Sequence, residues 1–132
     1  MSPPAAMADF FRMKNAHDDR GLAGLFTEDA VVVDGGEGTK MQGNDEIKKW
    51  IEKAISGLKL HTEVCGSVER DGEWVIDTVM SGDFKASPAH FRYFVTLRGD
   101  RILALRVEFV GSLRSGRRSP LADAKADHLL GA

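Results

Sequence analysis

The chain has 132 residues, with 18 basic against 20 acidic side chains and a formal net charge of −2. This length predicts one domain with its own hydrophobic core, and the near-neutral charge argues against nucleic acid or an anionic membrane as a partner. The single cysteine, Cys65, excludes an intrachain disulfide and a cysteine-rich zinc site. Without an apolar run of about 20 residues or a signal-peptide pattern, we expect a cytoplasmic protein.

The N-terminal part predicts two helices. Ser2 and the two prolines after it are typical of a helix start. Residues on one face of this helix then follow at helical spacing, the last of them with an apolar stem: Met7, Phe10, Phe11 and Lys14. Residues 21–26 predict a second, short helix.

A strand and a third helix follow, separated by a glycine-rich loop. The β-branched residues 31–33 predict the strand, which Asp34 ends. Glycines 35, 36 and 38 are turn residues. Asn44 is the predicted N-cap of a helix over residues 44–56, with Gly57 as its C-terminal glycine.

The remainder predicts an antiparallel meander. Residues 58–69 alternate with a period of two, Asp71 and Gly72 predict a hairpin turn, and further strands are expected over 74–84, 91–97 and 102–110. Helices followed by long hairpins indicate the α+β class, with a cone-shaped, curved antiparallel sheet packed on N-terminal helices around a cavity. We predict one domain over residues 1–111 and a C-terminal tail over 112–132 that includes a short helix.

Three phrases carry a resemblance to a known family. They are FTEDAVVVDGG with QGNDEIKKW, then GDFKASP, then LRGDRILAL. In this order they resemble the nuclear transport factor 2-like superfamily, in particular its SnoaL-like and ketosteroid isomerase-like branches. The resemblance covers about residues 3–110. It implies a cystatin-like α+β fold, and it is less specific for function because this fold hosts enzymes, binding modules and transport adaptors.

The resemblance places Asp34 where ketosteroid isomerases keep the aspartate that moves a proton. A carboxylate in an apolar pocket suits that chemistry when oxyanion donors face it. The family's tyrosine on the first helix falls near Phe10, and its acid on a later strand falls near Arg92, so neither donor carries over. The resemblance leaves Arg92 as a candidate anion partner. The alternative for Asp34 is a turn carboxylate that bonds Gly35 and Gly36.

Seven further side chains are candidate substrate-binding residues, each with a structural alternative. Five fit a hydrophobic core as well as a cavity wall: Phe10, Phe26, Trp50, Met80 and Phe94. His61 belongs either to the pocket or to the surface or dimer face of the sheet, and His90 follows the loop of residues 82–88, where the rim is an option. The four histidines lack the H-x-x-x-H spacing of metal sites, so we expect no metal. We also expect no organic cofactor, because the reaction classes considered below need none.

The sequence therefore supports two functional hypotheses. The first is a small-molecule-binding cavity protein for an apolar or aromatic metabolite, with isomerase, cyclase or dehydratase chemistry that uses Asp34 as general base and Arg92 as anion partner. The second is a non-catalytic ligand-binding or protein-interaction module of the same fold, which the missing tyrosine and acid favour. In both cases we expect a homodimer packed through its sheet, and no nucleic-acid or membrane partner.

Overall fold

The computed structural model describes residues 2–35, 38–55 and 59–114. Helices α1 (Ala5–Asn15) and α2 (Asp19–Ala23) precede strands β1 (Phe26–Asp34) and β2 (Thr39–Gln42). Helix α3 (Asn44–Trp50) continues directly into a π-helical turn over Ile51–Ile55. Four long strands complete the domain: β3 (His61–Arg70), β4 (Glu73–Ser81), β5 (Ala89–Arg98) and β6 (Arg101–Ser112).

The six strands form one sheet in the order β2-β1-β6-β5-β4-β3. This mixed helix and sheet architecture confirms the α+β class predicted from the sequence. The predicted meander, β3 to β6, is antiparallel throughout, and the sheet as a whole contains one parallel pair. Strands β1 and β6 pair in parallel, with Asp34 opposite Val107, whereas every other neighbouring pair is antiparallel.

The turn between β3 and β4 matches the prediction from the sequence. Asp71 and Gly72 both have positive φ angles, 52° and 82°, which is the backbone of a type I′ hairpin turn. Such a turn twists in the same sense as the flanking strands, so a two-residue connection suffices. The register that follows pairs Arg70 with Glu73 and continues along the whole hairpin, apart from one irregularity near Cys65.

The helix starts differ from the sequence prediction. Helix α1 has Pro4 as its N-cap and no side-chain cap, and α3 has Gly43 rather than Asn44 as its N-cap. The second helix begins earlier than expected, because the Asp18 carboxylate accepts a hydrogen bond from the Gly21 amide and starts the helix there. Residues 26–30, which were expected to end that helix or link it to the strand, belong to β1 instead.

The hydrophobic core fills the space between the helices and one face of the sheet. Helix α1 contributes Met7, Phe10 and Phe11, all nearly or fully buried. On the sheet side of this core lie Ile76 on β4 and Tyr93 on β5, which are neighbours across the two strands. Alternate residues of a strand point to opposite faces. On β4 and β5, every second residue counted from Ile76 and from Tyr93 therefore faces the helices.

Several sequence predictions lie outside the described residues. They are Gly57 as the end of the third helix and nearly all of the proposed tail over 112–132. The division into a domain over 1–111 and a tail stays a prediction. Within the described part of the chain, none of the helices combines the length and the apolar character that crossing a membrane requires.

Candidate functional site

A pocket of about 430 Å³ lies between the helices and the inner face of the sheet. Its walls are mainly aromatic and aliphatic, and four of its lining side chains carry a hydrogen-bonding or charged group: Lys14, Asp34, Trp50 and Tyr93. Phe109 lines the pocket and is 46% exposed, so the pocket reaches solvent at that side. An apolar site with a few convergent polar groups is the usual form of a small-molecule site.

Asp34 ends β1 with its side chain on the inner face of the sheet. It shares the parity of the buried Ala30 and Val32, and one of its carboxylate oxygens accepts a 2.8 Å hydrogen bond from the Trp50 indole N–H. The neighbouring Gly35 amide donates to the Val107 carbonyl at 2.7 Å, so it does not bind the Asp34 carboxylate. Trp50 on α3 thus positions the Asp34 carboxylate, and pairing with β6 positions the Asp34 backbone.

Tyr93 lies on the same rung of the sheet as Asp34. Asp34 is paired with Val107, which is paired with Tyr93, so roughly 10 Å separates the two outer strands along the rung. Burial, and next the negative charge of Asp34, raise the pKa of the Tyr93 hydroxyl well above its usual range. The phenol therefore stays protonated and can act as a hydrogen-bond donor in the pocket.

Lys14 brings a charged group into the pocket from α1. Its side chain is 2% exposed, and its amino group donates a 2.6 Å hydrogen bond to the Thr62 hydroxyl on β3. Burial lowers the pKa of Lys14 from 10.5 to about 8, because the charged form loses hydration. The Thr62 hydroxyl also acts on the Tyr93 hydroxyl and lowers its pKa, against the larger effects of burial and of Asp34. Lys14, Thr62 and Tyr93 are therefore neighbouring polar side chains on one side of the pocket.

Asn15 forms two hydrogen bonds with the backbone of Thr62 on β3. Its side-chain amide donates to the Thr62 carbonyl at 2.9 Å, and its side-chain oxygen accepts from the Thr62 amide at 2.7 Å. These two bonds satisfy backbone groups of β3, the edge strand, in the manner of one more strand. These two hydrogen bonds fix the C-terminal end of α1 against β3, and so they set the position of Lys14.

Aromatic rings form the walls in two groups. The buried Tyr93 ring contacts Phe10, which also lines the pocket, and Phe11, which lies behind it, with edge-to-face centroid distances of 6.0 and 5.0 Å. Toward the exposed side, Phe91 contacts Phe84 at 6.1 Å and Phe109 at 5.5 Å. Edge-to-face packing of this kind holds the rings in defined orientations, which gives the apolar part of the pocket a fixed shape.

The candidate anion partner Arg92 does not line the pocket. It alternates with Tyr93 and therefore points to the opposite face of the sheet, where its guanidinium lies 2.9 Å from a carboxylate oxygen of Asp77. The same oxygen is 2.6 Å from the His90 ring. Asp77 and His90 are both almost fully buried. The second Asp77 oxygen and His90 Nδ1 have no hydrogen-bond partner among the described residues.

The other candidates from the sequence divide between the pocket and other places. Phe10, Asp34, Trp50 and Met80 line the pocket. Phe26 is buried behind Phe10, with ring centroids 6.3 Å apart. His61 is exposed and lies 3.6 Å from the Glu63 carboxylate. Phe94 lies on the outer face beneath the Arg106 guanidinium, which is 4.0 Å from its ring centre. Across residues 2–35, 38–55 and 59–114, no histidine, cysteine and acidic side chains cluster as a metal site.

Lys14 and Tyr93 were missed as site residues, although the sequence contains a signal for each. Lys14 stands at the fourth position after Phe10, on the apolar face of α1, where a charge is unusual. Tyr93 is the only tyrosine and alternates with Arg92 and Phe94. Arg92 and Phe94 were chosen as candidates, and both lie on the outer face of β5. Tyr93, which lies between them, points to the inner face and the pocket.

Comparison with solved structures identifies proteins of the same fold. A candidate polyketide cyclase from Sinorhizobium meliloti is 26% identical, with a TM-score of 0.74, covering 80% of this chain and 95% of that one. A Catenulispora acidiphila protein with a ketosteroid isomerase-like fold, solved with trimethylamine, is 20% identical with a TM-score of 0.73, covering 85% and 88%. A computationally designed binder of 17-OHP is 17% identical with a TM-score of 0.69, covering 80% and 90%.

Curated proteins and family models give different results. None of the curated proteins matches the chain significantly. The family model of the SnoaL-like domain matches residues 7–117, a span that contains all six strands, the pocket and most of α1. This match agrees with the resemblance seen in the sequence phrases around Asp34 and residues 82–88. The chain therefore belongs to the SnoaL-like domain family.

Proposed function

We propose that the pocket binds a small apolar or aromatic molecule that carries a carbonyl group, and that Asp34 removes a proton from a carbon next to that group. The observation that supports this most is the Asp34 carboxylate, held at 2.8 Å by the Trp50 indole in a mainly apolar pocket. A base held in position in such surroundings is well suited to proton abstraction. Isomerisation, cyclisation and dehydration are the reaction classes that begin in this way.

The other polar groups of the pocket would stabilise the oxyanion that forms. Tyr93 can donate its hydroxyl proton to the developing enolate oxygen, and its raised pKa keeps that proton in place at neutral pH. Lys14, with a pKa of about 8, is mostly cationic at neutral pH and adds positive charge at the same side. In this proposal Lys14 and Tyr93 take the part that the sequence analysis gave to Arg92, whose guanidinium pairs with Asp77.

Hydrogen–deuterium exchange tests the base. β-Tetralone has acidic C–H bonds beside its carbonyl, and their exchange in deuterated buffer is followed by proton NMR. We expect the protein to accelerate exchange and Asp34→Asn to slow it at least about a hundredfold. Asp45→Asn, which alters an exposed carboxylate on α3, is the matched control and should leave the rate unchanged. Equal rates in wild type and Asp34→Asn would refute Asp34 as the base.

A non-catalytic binding module is the second candidate. It is favoured by the internal bonds of the polar groups, since Lys14 bonds Thr62 and Trp50 bonds Asp34 without a ligand. The similar designed protein that binds 17-OHP illustrates that this fold can serve binding alone. Calorimetric titration with β-naphthol, which has the size of the ketone but no carbonyl, separates the cases. Binding without accelerated exchange supports the module, and no binding refutes both candidates.

Two expectations about the chain's surroundings stay predictions. A homodimer packed through the sheet would use the outer face, which carries Phe94 and Arg106, and sedimentation at several concentrations tests it. The cytoplasmic location rests on the sequence pattern alone.

A further inference from the structure

The Lys14 amino group differs from the other described lysines in its surroundings. Lysines 40, 48, 49, 53, 59 and 85 are exposed, whereas Lys14 is buried and lines the pocket. Its nitrogen bonds the Thr62 hydroxyl, which is neutral, and no carboxylate of the described residues lies within 4.0 Å of it. An ammonium group without an acidic partner, removed from water, is expensive to keep charged.

These surroundings raise the fraction of Lys14 that is the neutral, nucleophilic amine. With its pKa lowered to about 8, Lys14 is unprotonated in roughly one molecule in ten at neutral pH, against roughly one in a few thousand for an ordinary exposed lysine. The lone pair of a neutral amine is the reactive form toward carbonyl carbon. Asp34 and Tyr93 are the other titratable side chains that line the pocket.

We propose that Lys14 condenses with the carbonyl carbon of an aldehyde or ketone in the pocket and holds it as an imine. The inference rests on the proposed function in one respect, because it needs the pocket to admit an apolar carbonyl compound. It goes further in assigning a covalent step to a residue that the proton-transfer chemistry uses only as a charge. The aromatic walls favour a ligand with a flat apolar body, and the exposed Phe109 side gives it access.

The hydrogen bond between Lys14 and Thr62 supplies a route for the proton that this reaction must move. The Lys14 nitrogen adds to the carbonyl carbon, the C=O π bond breaks, and the oxygen takes the electron pair. A proton passes from the nitrogen to the Thr62 oxygen, and the Thr62 hydroxyl proton passes to the new alkoxide. The resulting carbinolamine loses its hydroxyl group and its remaining N–H proton as one water molecule, which leaves the C=N bond.

Reductive trapping in the full-length chain tests the proposal. The protein is incubated near neutral pH with β-naphthaldehyde and sodium cyanoborohydride, which reduces an imine to a stable secondary amine. Mass spectrometry of proteolytic peptides then measures the modification of each lysine, a mass gain equal to the aldehyde less one oxygen atom. We expect Lys14 to be modified at least about tenfold faster than Lys48 or Lys85, which are both exposed. β-Naphthol should protect Lys14 alone.

Variants establish the assignment. Lys14→Met should abolish the fast modification, and Lys48→Met, a matched change at an exposed site, should leave it intact. Because the aldehyde has no hydrogen on the carbon beside its carbonyl group, Asp34 has no C–H proton to remove there. Modification of Lys14 no faster than that of exposed lysines, while β-naphthol still binds, overturns the imine and leaves the pocket function standing. Failure of both compounds to bind overturns the two proposals together.

Discussion

Replacing Lys14 with methionine should make the folded chain more stable at neutral pH and change how its stability depends on pH. The lysine is 2% exposed and its ammonium bonds a single hydroxyl, that of Thr62. Methionine has a similar length and flexibility, fills the same space, and carries no charge to desolvate. The change therefore removes the cost of burying the cation and loses one hydrogen bond, which contributes about 1 kcal/mol.

The lowered pKa sets both the size and the sign of the effect. The folded chain releases the Lys14 proton near pH 8, whereas the unfolded chain releases it near pH 10.5. Between these values the unfolded state binds more protons, so the free energy of unfolding rises with pH. Integration from pH 7 to pH 10 gives about 2 to 3 kcal/mol for wild type, all of it attributable to this one group.

Tyr93 limits the range over which the effect can be read. Its pKa is raised by burial, so above about pH 10 the unfolded chain releases the tyrosine proton first and stability falls again. Since both proteins contain Tyr93, this fall and the effects of all other shared groups cancel in the difference between wild type and Lys14→Met. The difference is therefore the quantity to measure.

Urea unfolding followed by circular dichroism at pH 7, 8, 9 and 10 provides that difference. We expect Lys14→Met to be the more stable protein at pH 7 by about 1 to 2 kcal/mol, after the lost hydrogen bond is subtracted. By pH 10 the advantage should have disappeared or reversed. A difference that stays constant across the four pH values would refute the reasoning, because it would mean that Lys14 titrates alike in the folded and unfolded chain.

Three further predictions concern other parts of the molecule. Trp50→Phe, which keeps the ring and loses the N–H that binds the pocket carboxylate, should slow β-tetralone exchange about tenfold with little change in β-naphthol affinity. Asp77→Ala should cost about 3 to 5 kcal/mol in urea unfolding, because it removes the buried carboxylate that the His90 ring and the Arg92 guanidinium both contact, whereas His61→Ala at an exposed site should cost less than about 0.5 kcal/mol. Gly82→Ala should lower the melting temperature far more than Gly99→Ala, since a Cβ at Gly82 would lie 2.5 Å from a backbone carbonyl oxygen and one at Gly99 meets nothing within 4 Å.

The sequence was sufficient for the class of the fold, because its evidence there is local. The period of two after residue 58, the Asp71 and Gly72 turn and the valines before Asp34 each specify their own element. The parallel contact between β1 and β6 could not be seen in this way, since it joins strands far apart in the chain and leaves no periodic signal. β2 was missed because its four residues lie between two glycine-containing turns.

The site was predicted in part for a similar reason. Asp34 could be singled out by its place at the end of a strand, and Phe10, Trp50 and Met80 by their apolar character. The face on which a strand residue lies follows from register, however, and an error of one position exchanges Tyr93 for Arg92. Asp77, the partner of Arg92, was not considered, because pairing across β4 and β5 is a property of the assembled sheet.

The parallel contact between β1 and β6 has a consequence for the order in which the chain can assemble. Strands β3, β4, β5 and β6 are joined by short hairpins and loops and can pair as they are made. The segment that carries Asp34 meets this sheet through β6, the last strand among the described residues. We therefore expect the wall that holds the carboxylate to join the sheet late in synthesis, so that a nascent chain ending before β6 holds most of the pocket's lining residues without the pocket.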